Sequence, residues 1–168
     1  MIGLYYFMRK ILNDEIENGK FYFNEAILEG LKSNCLRSKC GSVLVKNGVI
    51  IGRGFNSPPK ELENQRRCLN SKKDYDLKVT DKTCCMHAEQ RALIDALRNG
   101  LTIEGSKLFF IRINEKCEVI FSGKPYCTMC SKMALDLGVI EWILWHKEGI
   151  FLYNSEEYNS ISFEYQEN

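Results

Sequence analysis

Two short motifs, His87-Ala88-Glu89 and Cys127-Thr128-Met129-Cys130, constrain this chain more than any other feature of its sequence. Each opens a helical pattern. After His87, apolar Ala88, Ala92, Leu93 and Ala96 recur at helical spacing to Leu97, and Gly100 supplies a stop. After Cys127, Met129, Met133, Ala134 and Leu137 do the same before Gly138. Cysteines three apart on a first helical turn share one face. The unpaired N–H groups of that turn favour their thiolate forms. A fold that uses both motifs must therefore bring two helix N-termini together, with a histidine and two thiolates converging.

Such a trio suits zinc. His87, Cys127 and Cys130 as ligands leave the fourth tetrahedral position open, which separates a catalytic zinc from a closed structural one. Glu89 lies near the metal without being needed as a ligand. A carboxylate there takes a proton from water that the metal activates, and passes it to a ring nitrogen and then to departing ammonia. Either motif alone is weak, since Cys-x-x-Cys also serves redox pairs and structural zinc half-sites. Their conjunction is close to the signature of zinc deaminases acting on nucleobases, His-x-Glu followed by Pro-Cys-x-x-Cys.

The rest of the chain reads as a single domain over residues 1–168, long enough to bury a core. It is 45% hydrophobic and 27% charged, with 23 basic and 22 acidic residues, so no global charge points to nucleic acid. Residues 8–34 predict one or two helices broken near Asn18-Gly19, and the apolar opening Met1–Met8 reads as the start of an amphipathic helix rather than a leader. Asn47-Gly48 joins Ser42–Lys46 and Val49–Gly52 in a hairpin, because that dipeptide accepts the positive φ of a tight turn. Residues 60–84 are a charged, unpatterned insertion. Strands are predicted at Leu108–Ile113 and Val139–Trp145, with Val119-Ile120-Phe121 extending or pairing with the former. Residues 154–168 form an acidic tail, disordered in part or a short surface helix. Strands alternating with helices indicate an α/β sandwich. No stretch is long enough for a membrane span. The eight cysteines, in a chain read as cytoplasmic, point to metal rather than disulfides.

From about Asn34 to Trp145 the chain resembles the cytidine/deoxycytidylate deaminase superfamily. The resemblance rests on Ser33–Arg37, Gly41–Val45, Ile51–Asn56 and His87–Leu93, and the first three are similar to the deoxycytidylate deaminase branch. It implies a three-layer α/β/α sandwich around a five-stranded mixed sheet, zinc, and a homo-oligomer. It further implies that Asn56 binds the sugar or base of the substrate and that the Ala88 backbone N–H meets the base carbonyl; Asn56 also suits a turn before Ser57-Pro58-Pro59.

Two departures stand out. Tyr126 separates Pro125 from Cys127, where the family has proline directly before the first cysteine, and Ile113–Lys124 is longer than the family's step into the cysteine helix. It is a pocket rim or a surface hairpin. Of four more cysteines, Cys68, Cys84 and Cys85 bracket the insertion and Cys35 precedes the first strand of the hairpin. They form either a second, structural zinc site, as in some deoxycytidylate deaminases, or a set of buried residues and exposed thiols. His146 reads as a surface or partner-facing histidine rather than a ligand. The leading function is deamination of a cytosine nucleotide, deoxycytidylate first, with Arg53, Arg66, Arg67 and Lys60 as phosphate candidates. The alternatives are a base deaminase for tRNA or single-stranded DNA, a deaminase of another free base or nucleoside, and a non-catalytic zinc-stabilised binding protein, against which an intact Glu89 argues.

Overall fold

The computed structural model describes residues 8–166, so the reading of Met1–Phe7 as helical lies outside the described residues. In chain order the elements are β1 (Arg9–Lys10), α1 (Asp14–Leu31), β2 (Lys39–Lys46), β3 (Val49–Phe55), α2 (Ala88–Arg98), β4 (Lys107–Ile113), β5 (Val119–Ile120), α3 (Thr128–Asp136), β6 (Glu141–His146), β7 (Gly149–Asn154) and α4 (Ser155–Phe163). One sheet runs β1-β7-β6-β4-β2-β3, with β5 paired to β4. All pairings are antiparallel except β4 with β6. The expected five-stranded mixed sheet is its centre, but the sheet has seven strands. The two additions, β1 and β5, are two-residue strands at its margins.

The sheet separates two cores. Phe23 and Ala26 of α1 pack with Val43, Val45, Phe109, Ile111 and Ile143 on one face. On the other, Ala92, Leu93 and Ala96 of α2, Ala134 of α3 and Tyr158 of α4 meet Leu44, Leu108, Trp142 and Leu144. Adjacent residues of a strand thus feed opposite cores, which gives the α/β/α layering.

Several local expectations change. Helix α1 runs unbroken through Gly19, whose missing side chain admits close neighbours: a Cβ there would lie 3.1 Å from Ile11 Cδ1 and 3.4 Å from Ile150 Cδ1. The hairpin turn forms at Asn47 (φ 50) and Gly48 (φ 77), as the dipeptide requires. Strand β7 follows β6 across Lys147-Glu148 and had no counterpart in the sequence reading. Helix α4 is anchored to the core, since Tyr158 stacks on Trp142 with ring centroids 4.0 Å apart.

The contact that places the active helix is between α2 and β3. Gly52 and Gly54 face α2, and a Cβ on either would collide with the carbonyl oxygens of Ala92 and Ala88 respectively. Helix α2 therefore lies almost backbone to backbone on β3, which sets the position of its N-terminus. No described helix is long and apolar enough to cross a membrane.

Candidate active site

The two motifs meet at the helix N-termini as their chemistry requires. His87 caps α2, and its backbone N–H donates to Gln90 Oε1 at 3.0 Å. Cys127 caps α3, and its Sγ accepts the N–H of Cys130 at 3.4 Å. His87 Nδ1 lies 3.2 Å from Cys130 Sγ and 3.3 Å from Cys127 Sγ. The three ligand atoms lie within 4.8 Å of one another. A tetrahedral zinc with Zn–N and Zn–S bonds of ordinary length spaces its ligand atoms roughly 3.5–3.8 Å apart. This donor set fits that metal: one imidazole, two sulfurs, and a neighbouring carboxylate outside the trio. Thr83 Oγ1 stands 3.5 Å from His87 Nε2, the ring nitrogen that faces away from the sulfurs.

The electrostatics already suit deprotonated sulfur. A hydrogen bond from Cys130, with a further one from His87, brings Cys127 down to about 4. The bond to Cys127 lifts His87 to about 9, against burial. Cys130 moves up, because its neighbour Cys127 holds the charge. Glu89 is buried, and desolvation pushes its carboxyl up to about 7, with the His87 charge pulling the other way. A carboxyl poised there can both take and return a proton near neutrality.

His87, Glu89 and Cys127 share a cavity of about 230 Å³ with Asn56, Ala88, Phe110, Arg112, Tyr126 and Tyr158. Ala88 is fully buried, and its N–H is one of the opening amides of α2 that have no acceptor within the helix. Asn56 is clamped by the protein. Its Oδ1 accepts from Cys40 N at 2.8 Å and lies 2.8 Å from Ser33 Oγ, and its Nδ2 donates to Ser38 O at 2.9 Å. One Nδ2 hydrogen remains for a ligand. Arg91 of α2 fastens the next turn, donating to Ser57 Oγ at 2.6 Å and Pro58 O at 2.9 Å. Sequence reasoning passed over that residue.

The other four cysteines also converge. Cys35, Cys68 and Cys85 place their sulfurs within 4.8 Å of one another, and Cys84 Sγ lies 3.2 Å from Cys68 Sγ and 3.8 Å from Cys85 Sγ. Burial opposes ionisation of Cys68, but bonds from the Leu36 backbone, Cys84 and Arg66 outweigh it and bring the thiol to about 7. Three mutually close sulfurs, with Cys84 beside two of them, are a donor set that suits zinc. All four line the same cavity as His87.

Of the phosphate candidates, only Arg67 lines the cavity. Arg53 pairs with Glu25 at 2.7 Å and Glu29 at 3.7 Å, and Arg66 pairs with Glu63. Lys60 is exposed and outside the cavity lining. The cations that line it instead are Arg37, Lys72, Lys82 and Arg112. Arg112 alternates with Phe110 on β4, and this period-two placement was the available signal. His146 is half-buried rather than a surface group: its Nδ1 lies 2.8 Å from Ser122 O and its Nε2 2.8 Å from Tyr153 Oη. The Ile113–Lys124 stretch is a hairpin in which Ile120 pairs with Arg112, and it carries the chain back to Tyr126 at the cavity edge.

Comparison with known proteins agrees with this geometry. A family model described as the cytidine and deoxycytidylate deaminase zinc-binding region matches residues 16–146. Deoxycytidylate deaminase of Saccharomyces cerevisiae is 26% identical over 125 residues, which cover 72% of this chain and 35% of that one. The Schizosaccharomyces pombe deoxycytidylate deaminase is 30% identical over 131 residues, covering 74% and 36%. The chain thus spans about a third of the length of these curated relatives. Among solved structures, dCMP deaminase from the cyanophage S-TIM5 in apo form is 30% identical with a TM-score of 0.54, over 78% of this chain and 82% of that one. Cytidine deaminase from Burkholderia pseudomallei, 18% identical with a TM-score of 0.52, covers 88% and 96% and shares the fold.

Proposed function

This chain belongs to the cytidine and deoxycytidylate deaminase zinc-binding family, and we propose that it hydrolyses the amino group of a cytosine nucleotide, deoxycytidylate first, to give the uracil nucleotide and ammonia. The observation that carries the reading is the buried Glu89 in one cavity with His87 and Cys127, whose ligand atoms converge with that of the buried Cys130. The cyanophage enzyme, 29% identical, is described in complex with dCMP and dUMP, which supports the substrate class.

His87, Cys127 and Cys130 would hold the zinc, which when bound makes water acidic enough to react near neutral pH. Glu89 would accept a proton from the water as the water oxygen adds to the amino-bearing carbon. It delivers the proton to the ring nitrogen next to the amino-bearing carbon, and a second transfer equips the amino group to leave as ammonia. Its carboxyl, raised by burial to about 7, suits both directions of transfer. The Ala88 N–H meets the base carbonyl, and the free Nδ2 hydrogen of Asn56 meets the sugar or base. Phe110 and Tyr158 line the wall beside the base and exclude water. Cys35, Cys68, Cys84 and Cys85 would hold a second, structural zinc that ties the insertion to the cavity wall. A homo-oligomer in a reducing, cytoplasmic setting completes the reading.

The test is an ammonia-release assay of the zinc-loaded protein on deoxycytidylate, cytidylate, their nucleosides, cytosine and short oligonucleotides, with Glu89→Ala as control. Turnover of deoxycytidylate that is lost in the control is expected. Turnover on oligonucleotides alone would replace the substrate class, and turnover surviving in Glu89→Ala would remove the proton carrier.

A further inference from the structure

Arg112 is a cation that the deamination chemistry leaves unexplained. It stands on β4 directly opposite Cys40 of β2 and lines the cavity with Glu89. None of the ion pairs among the described residues includes it. Its Nη2 donates to Tyr126 Oη at 3.1 Å, while its Nε is buried with no hydrogen-bond partner. An orphaned, buried N–H is costly, and an acceptor brought by a ligand would relieve it.

The other cations of the cavity have different occupations. Arg37 donates to the carbonyls of Cys68 and Asn70, Arg67 to that of Gln65, and Lys82 to that of Tyr75. They brace the insertion around the cysteine cluster. Lys72 sits on an exposed turn of that insertion. Arg112 instead rises from a central strand, next to the residues that would handle the base. Its planar fork matches two oxygens of a phosphate, which a lysine cannot do. Tyr126 holds one arm of that fork. It occupies the place where the deaminase signature has proline, and the chain reaches it only through the added β5 hairpin. Tyr126 thus belongs to the segment in which this chain departs from its family, and Arg112 stands on the strand that leads into it.

We infer that Arg112, oriented by Tyr126, receives the 5′-phosphate of the nucleotide and sets the preference for nucleotide over nucleoside. Arg112 touches the substrate, and Tyr126 is a positioning residue. The inference rests on the proposed nucleotide deaminase activity, and binding measurements separate the two.

The experiment titrates zinc-loaded protein with deoxyuridylate and with deoxyuridine, the product with and without its phosphate, and measures the Kd of each by calorimetry. The wild type should bind deoxyuridylate more tightly. Arg112→Gln should weaken deoxyuridylate by about ten- to a hundredfold, the range for one charge-assisted pair, and change deoxyuridine by less than about threefold. Arg112→Lys keeps the charge without the fork and should fall between; it also serves if the glutamine variant does not fold. Tyr126→Phe should weaken deoxyuridylate alone, by a few-fold. In turnover, the loss should appear in KM for deoxycytidylate with kcat nearly unchanged. Equal losses on nucleotide and nucleoside, or a wild type that does not distinguish them, would overturn the role of Arg112. A wild type that distinguishes them but releases no ammonia would overturn the deaminase reading and leave the phosphate contact standing.

Discussion

Asn56 holds the backbone of Cys40 in place, its Oδ1 accepting the Cys40 N–H at 2.8 Å across the start of the central strand. Through the same side chain it fastens Ser33 and Ser38, so three segments of the cavity wall meet on one buried amide. Replacing Asn56 with Ala leaves these partners unsatisfied and should cost about 2–3 kcal/mol. Thermal or urea unfolding of the variant checks this. Asn56→Asp should be milder for Cys40 but should lose the Ser38 contact. A loss of kcat/KM without any loss of stability would show that Asn56 acts only on substrate.

Glu89 links stability to pH. In the metal-free protein its carboxyl protonates near 7, while an unfolded glutamate does so at about 4. The folded state therefore binds more protons between these values, and stability falls as pH rises across that window. Glu89→Gln removes the penalty. Chelated Glu89→Gln should melt higher than chelated wild type at pH 8, by up to about 3 kcal/mol, and the gap should close towards pH 4. Turnover should drop by a factor of about 10²–10⁴ in the same variant. A gap independent of pH would contradict the burial argument.

Gly54 tests the placement of the active helix. A methyl group there would strike the Ala88 carbonyl oxygen, at the first residue of α2. Gly54→Ala should push the N-terminus of α2 off β3, lower stability by about 1–3 kcal/mol and weaken zinc retention at His87. Zinc content after dialysis, compared with Gly123→Ala, where a Cβ meets nothing within 4 Å, separates this from a general effect.

Cys68 tests the outer cysteine cluster. Elemental analysis of the wild type should give two zinc ions per chain, and Cys68→Ser should give one, with residues 60–84 becoming sensitive to protease. A single zinc in both proteins would leave the outer cluster without a metal.

Much of the site was legible because its chemistry is local. His87, Glu89, Cys127 and Cys130 announce themselves through spacing at helix starts, and Asn47-Gly48 fixes a hairpin by backbone geometry alone. What stayed hidden depends on distant contacts. Gly19 reads as a break until Ile11 and Ile150 are seen to need its missing side chain. Strand β7 is short and follows a polar pair, although buried Ile150 and Leu152 carry the alternation of a strand. Tyr158 lies in an acidic tail and shows its role only by stacking on Trp142. The insertion has no hydrophobic pattern, because cysteines and arginine–carbonyl bonds hold it rather than a core.

Cys84 and Cys85 belong to the outer cluster and His87 to the inner one, with Met86 alone between them, its N–H donating to Ser57 O at 2.9 Å. If both clusters hold metal as proposed, so short a tether would couple the two loading equilibria. An ion in the outer cluster would restrict the freedom of His87 and raise the apparent affinity of the inner one. A zinc-depleted cell would then hold mostly empty and fully loaded molecules, with few in between, and output would respond to metal supply more like a threshold than a slope.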